Sequence, residues 1–176
     1  MQYRRANING ATYFFTVNLA NRNSTLLIDN IDILRRCIGT IKNKHPFKID
    51  AMVVMPEHLH AMFTLPENDN DYARRWSLIK SGFSRQLPKI ESISPGRVSK
   101  GERGIWQRRY WEHYIRDDKD YAAHVNYIHY NPVKHGHVQH AVDWPYSSIH
   151  QHIKDGCIGN EWGHGYKEDK TKHWGE

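Results

Sequence analysis

The chain has 176 residues, enough for one domain with a proper core, and carries a formal charge of +6 with a pI near 9.3. Its two cysteines, Cys37 and Cys157, stand far apart and outside any C-x-x-C pattern, which argues against a disulfide scaffold or a cysteine-rich zinc site and fits a reducing cytoplasm. No apolar run approaches the roughly 20 residues that span a bilayer, and Met1-Gln2-Tyr3-Arg4-Arg5 does not lead into the apolar core of a signal peptide, so no membrane role is expected. Basic charge together with six Trp and ten Tyr suits a polyanionic partner with unpaired bases, although a basic surface without that role has the same composition.

Residues 3–9 are polar and read as an arm. After Gly10, residues 12–19 are β-branched and aromatic, a strand with Tyr13, Phe15, Val17 and Leu19 on one face. Asp29 or Asn30 then caps a helix running to about Lys44, with Ile31, Leu34, Ile38 and Ile41 as its buried stripe and Arg35, Arg36 and Lys42 facing out. His45-Pro46 ends it, because the residue before proline avoids helical geometry. Residues 48–55 form a second strand, and Pro56-Glu57 link it into a third as a hairpin. In that third strand side chains alternate, so Leu59, Ala61, Phe63 and Leu65 share an apolar face while His58 and His60 share the other. Same-side neighbours lie about 7 Å apart, close enough for two imidazoles to reach one metal ion. Thirteen histidines make one H-x-H triplet expected by chance, so the contrast between the two faces matters more than the triplet.

Pro66 stops the strand, and Asn68-Asp69-Asn70-Asp71 starts a helix with Tyr72, Trp76, Ile79, Phe83 and Leu87 on one face. Arg74, Arg75, Lys80 and Arg85 lie away from that face or on its flanks, and Pro88 closes the element. Residues 90–104 read as a long polar loop. Residues 105–115 are aromatic and basic, include Arg108 and Arg109, and contain a strand. Asp117-Asp118 begin a last helix whose apolar stripe is Tyr121, Val125 and Ile128. Tyr127 and Asn131, four apart, are neighbours at the flank of that stripe. Pro132 is expected to end the helix at Asn131, and the plain reading is a packed tyrosine ring with Asn131 as C-terminal cap.

A phosphodiester needs its charge neutralised and its leaving oxygen stabilised, and one divalent ion does both. His58 and His60 supply two ligands for such an ion and the Asn131 carbonyl oxygen a third. A nearby tyrosine hydroxyl can attack phosphorus and preserve the bond energy as a phosphotyrosine. Free tyrosine has a pKa near 10, so Tyr127 would need a base or local positive charge. His124 and His129 are close in sequence.

These residues resemble a known family. His58-Leu59-His60 after Met55-Pro56-Glu57 looks like the HUH motif, and Tyr127 to Asn131 looks like the single-tyrosine motif of IS200/IS605-type transposases. More closely, the chain resembles the REP-associated tyrosine transposases, or RAYTs. The likeness also runs through Tyr3-Arg4-Arg5, Tyr13-Phe14-Phe15-Thr16, Trp76-Ser77-Leu78-Ile79-Lys80, Gly104 to His113, Asn131 to Gly136 and Asp143 to Ser148, covering about residues 3–163. The resemblance implies a ferredoxin-like α+β domain with an antiparallel sheet packed by helices. It implies cutting and rejoining of single-stranded DNA at REP hairpins through a 5′-phosphotyrosine, in a bacterial, nucleoid-associated, cytoplasmic protein. Tyr127 is then the nucleophile and His58, His60 and Asn131 bind Mg²⁺ or Mn²⁺, with His113 and His124 as supporting groups. IS200-type enzymes commonly have glutamine where Asn131 stands. Arg74, Arg75, Lys80, Arg85, Arg108 and Arg109 are candidate DNA contacts. Classical insertion-sequence enzymes are dimers that exchange helices, whereas RAYTs act as monomers, so monomer and homodimer both stay open. Residues 164–176 are expected to be a mobile tail. Two other readings remain: a catalytically quiet hairpin-binding regulator on the same fold, and an RNA-binding sheet that stacks bases on Phe14 and Trp111.

Overall fold

The computed structural model describes residues 7–168 and 170–176, so Tyr3, Arg4 and Arg5 lie outside the described residues. In chain order the elements are Thr12–Asn18 (β1), Leu26–Asp29 (α1), Ile31–Lys44 (α2), Lys48–Val54 (β2), His58–Thr64 (β3), Tyr72–Arg85 (α3), Pro95–Val98 (α4), Trp111–Tyr114 (β4), Asp118–Lys134 (α5), a 3₁₀ turn at Ala141–Asp143, and Ile149–Lys154 (α6). The four strands form one sheet in the order β2-β3-β1-β4, and every pairing is antiparallel. With α2 and α3 as the two crossovers, this is the ferredoxin-like α+β arrangement the sequence predicts.

Alternation along β1 and β3 gives the sheet two different faces. Tyr13, Phe15, Val17, Leu59, Ala61 and Phe63 are all buried against Leu34 and Ile38 of α2 and Trp76, Ile79 and Phe83 of α3. Phe63 and Trp76 stack with centroids 5.0 Å apart. On the other face Phe14, Ala51, Val53, Met55 and Met62 pack beneath Tyr127 and Ile128 of α5 and Trp144. Phe14 is therefore fully buried. It cannot serve as an exposed stacking platform, which removes one half of the RNA-binding reading.

Two helices depart from expectation. The loop at 90–104 contains the short α4. More consequentially, α5 does not stop at Asn131. It runs through Pro132 to Lys134, and its last turn is closed by bonds from His135 N to Asn131 O at 3.0 Å and from His137 N to Pro132 O at 2.9 Å. The proline costs one backbone donor, but the carbonyls that follow still find partners. Its buried residues are Asp120, His124, Tyr127, Ile128, His129, Asn131 and Pro132, so Tyr127 and Asn131 are buried along with Ile128 of the stripe. Tyr121 and Val125 pack against the cluster around Ile128 as expected of the apolar stripe, and the Tyr121 hydroxyl also donates to Asp50.

Arg75 is the other correction. It lies on the sheet side of α3, 2% exposed, and donates to the carbonyls of His45, Pro46 and Asp71 and to the Asp69 carboxylate, at 2.6–3.2 Å. The chain turning from α2 into β2 leaves buried carbonyls there, and this guanidinium satisfies them. It is a structural cation, not a surface contact for DNA.

Candidate active site

Register brings the site together. His60 pairs with Thr16 and His58 with Asn18 across β3 and β1, while Thr16 pairs with Trp111 on β4. Both imidazoles point to the α5 side, with ring centroids 4.9 Å apart and neither ring exposed. Each is aimed by a different neighbour. His58 Nδ1 lies 2.8 Å from Glu57 Oε1, and His60 Nδ1 lies 2.8 Å from Thr16 Oγ1, whose own hydroxyl donates to the Trp174 carbonyl. These contacts engage Nδ1 of each ring and turn Nε2 of both rings toward the site. Burial holds His60 neutral, its pKa lowered to about 3.

From α5, Tyr127 and Asn131 descend onto the same spot. The Tyr127 ring lies 5.2 Å from His60, edge-on. Lys134 of α5 and His135, which caps it, were not singled out by sequence reasoning and join them because the helix continues past Pro132. Lys134 Nζ lies 3.0 Å from the Tyr127 hydroxyl and 4.7 Å from its ring centroid, and the His135 ring is 5.2 Å from His58. Positions 127, 131, 134 and 135 share a helix face by their spacing. That signal was present in the sequence but hidden by the assumption that proline ends the helix.

Residues 170–176, expected to be mobile, instead close the site. Trp174 stacks face to face on Tyr127, with centroids 3.9 Å and planes 5° apart. The Glu176 carboxylate accepts from the Tyr127 hydroxyl. Its Oε1 also lies 3.0 Å from His60 Nε2, 3.0 Å from Asn131 Nδ2 and 3.2 Å from His135 Nε2, and its Oε2 lies 2.8 Å from Lys134 Nζ. Gly175 permits this approach: it has φ +77°, and a Cβ there would run into Trp111. Burial alone would raise the Glu176 carboxyl, but hydrogen bonds from His135, His60, Lys134 and Tyr127 override it and hold the group far below the usual carboxylate range. For Tyr127, burial first and the Glu176 carboxylate second push the phenol well above its ordinary value. The site therefore holds a neutral phenol and an ionised carboxylate.

A metal fits these donors. His58 Nε2 and Asn131 Oδ1 are buried acceptors without a hydrogen-bond partner, and a Glu176 oxygen is 3.8 Å from the former. His58, His60 and Glu176 offer ligand atoms within 4.8 Å of one another. Unsatisfied buried acceptors are costly unless a donor or a cation meets them.

His113 and His124 stand one layer back. They stack at 4.6 Å and share Asp120, with His113 Nε2 2.8 Å from its Oδ2 and His124 Nδ1 2.7 Å from its carbonyl. Phe14 separates them from the metal donors, 4.8 Å from His124 and 5.5 Å from His60. His129 faces away, toward Ser148.

Among the remaining basic candidates, Arg74, Arg85, Arg108 and Arg109 are exposed. Lys80, Arg85 and Arg108 share an open cavity of about 690 Å³ on the α3 side, lined also by Arg97, Trp106 and Tyr110. Lys80 donates to Gln107 O at 2.8 Å, and burial lowers its pKa to about 8. Arg108 is paired with Glu102. Arg74 and Arg109 lie outside that cavity's lining.

The family model described as "Transposase IS200 like" matches residues 7–131, which span the sheet, both histidines, Tyr127 and Asn131. The chain belongs to the IS200-like transposase family. Within that family it is 45% identical to the REP-associated tyrosine transposase of Escherichia coli K12, over 92% of this chain and 90% of that protein. It is 46% identical to a Haemophilus influenzae protein assigned to the same group, over 92% of each. A solved REP-associated tyrosine transposase, bound to a REP hairpin, superposes with a TM-score of 0.82 at 43% identity, covering 99% of this chain and 96% of that one. IS200-like transposases of this group are DNA transesterification enzymes, and the chain shares their α+β fold. Among the described residues no helix is long and apolar enough to cross a membrane.

Proposed function

We propose that this chain cuts and rejoins single-stranded DNA at REP hairpins, with Tyr127 as nucleophile and a divalent cation, Mg²⁺ or Mn²⁺, at His58, His60 and Asn131. One observation carries the reading: a buried phenol, the His60 imidazole and the Asn131 amide converge on one carboxylate, with His58 Nε2 3.8 Å from it, and we assign the place of that anion to the phosphate. A cation held there supplies charge neutralisation and stabilises the leaving oxygen. The Tyr127 oxygen attacks phosphorus, the Tyr–O–P bond forms as the P–O3′ bond breaks, and the products are a 5′-phosphotyrosine and a free 3′-OH. The phenolic proton passes to water and one returns to the 3′ oxygen. Glu57 and Thr16 keep the two imidazoles oriented, and Asn131 has an amide oxygen free for the ion. Relatives bound to or named for REP hairpins support that substrate. Action inside a bacterial cell at the nucleoid follows from the substrate.

The test is incubation with an end-labelled single-stranded oligonucleotide carrying a REP hairpin, with and without Mg²⁺ or Mn²⁺. A metal-dependent, denaturation-resistant protein–DNA adduct is expected, and Tyr127→Phe should form none. Cleavage persisting in Tyr127→Phe would assign the nucleophile elsewhere. Because Glu176 fills the site, a quiet hairpin-binding protein is the second reading, and it predicts tight binding with no adduct even after residues 174–176 are removed.

A further inference from the structure

We propose that Lys134 is a catalytic residue of this site: its ammonium holds a non-bridging oxygen of the scissile phosphate while touching the attacking Tyr127 oxygen. The inference rests on the phosphotyrosine reading above. Lys134 lies two helical turns beyond Tyr127, and only the continuation of α5 through Pro132 puts it on the same face. Its Nζ sits 3.0 Å from the nucleophilic oxygen.

The pattern of its partners gives the role. Lys134 pairs with Glu168 at 3.1 Å and with Glu176 at 2.8 Å, and the second of these carboxylates belongs to the segment that closes the site. When that segment withdraws, an ammonium 3.0 Å from the nucleophilic oxygen loses the Glu176 carboxylate. A cation left in that position attracts an anion. The closing carboxylate also shows how an anion is divided. Its Oε1 is taken by His60, Asn131, His135 and the phenol, and its Oε2 by Lys134. A phosphodiester likewise has two non-bridging oxygens. One faces the histidine and asparagine side, and the other falls to Lys134. Charge developing on that second oxygen during attack then meets a fixed positive group.

The experiment measures single-turnover adduct formation by the full chain on two hairpin oligonucleotides. One has the natural phosphodiester at the cleaved position, and the other a methylphosphonate, which lacks one non-bridging charge. Lys134→Ala should slow the phosphodiester reaction about 100-fold but the methylphosphonate reaction less than about tenfold. Lys134→Arg should recover most of the loss, and hairpin affinity by fluorescence anisotropy should change little. An equal defect on both probes, or no defect, would overturn the assignment. If the wild-type chain forms no adduct on either probe, the phosphotyrosine reading falls, and this inference with it.

Discussion

His124 shows what burial does to a single residue here. It sits 4% exposed beneath α5, facing Asp120 on its own helix, His113 on β4 and Lys172 from the closing segment. Burial is the largest influence and lowers its pKa to about 4. The native ring thus stays neutral at a pH where the unfolded chain, with a histidine pKa near 6.5, already binds a proton. Stability from this residue is complete above about pH 6.5 and is lost as pH falls toward 4, at about 1.4 kcal/mol per unit. Urea unfolding at pH 7 and pH 5 should show a falling midpoint, and His124→Gln should flatten that dependence. A wild-type midpoint equal at both values would refute the account. The pairing of His58 with His60 was legible from strand alternation alone, since period two fixes which side chains share a face. The burial of Arg75 was not. It depends on carbonyls that only the folded α2–β2 connection leaves short of donors, and nothing local to Arg75 announces them.

Among the elements, α5 carries most of the site and was the one most misread. Its site-facing row of Asp120, His124, Tyr127, Asn131, Lys134 and His135 is polar, so an apolar-periodicity search settles on Tyr121, Val125 and Ile128 instead. Proline appeared to forbid the last turn, where Lys134 stands. Residues 170–176 were illegible for a different reason. Trp174 is a lone aromatic among charges and glycines, with no period to reveal its partner, and its stack on Tyr127 exists only in three dimensions. Removing that indole should favour the open site. A stacked aromatic pair contributes about 0.5–1.5 kcal/mol, so Trp174→Ala should raise the rate of adduct formation by up to about tenfold. A single-turnover assay at saturating DNA reads this directly, and an unchanged or slower rate would mean that the segment does not limit access.

Over the whole molecule the sheet divides labour. The α5 side holds the proposed reacting groups, and the α3 side holds the cavity with Lys80, Arg85 and Arg108. If that side tracks the DNA backbone, Arg85→Ala should lower the salt slope of binding by about 0.7 per lost phosphate contact. Arg75→Ala should leave the slope alone and instead cost about 2–3 kcal/mol of stability, since several buried carbonyls lose their donor. Fluorescence titrations across a salt series, beside chemical denaturation, separate the two. A salt slope that falls on removing Arg75 would contradict its structural assignment. The contact between Glu176 and the Tyr127 hydroxyl carries one more consequence. Once phosphorus is bonded to that oxygen, the carboxylate has nowhere to return, so the covalent complex itself keeps the door open. The segment can then delay only the first cut. Resealing by an incoming 3′-OH would then proceed without its interference.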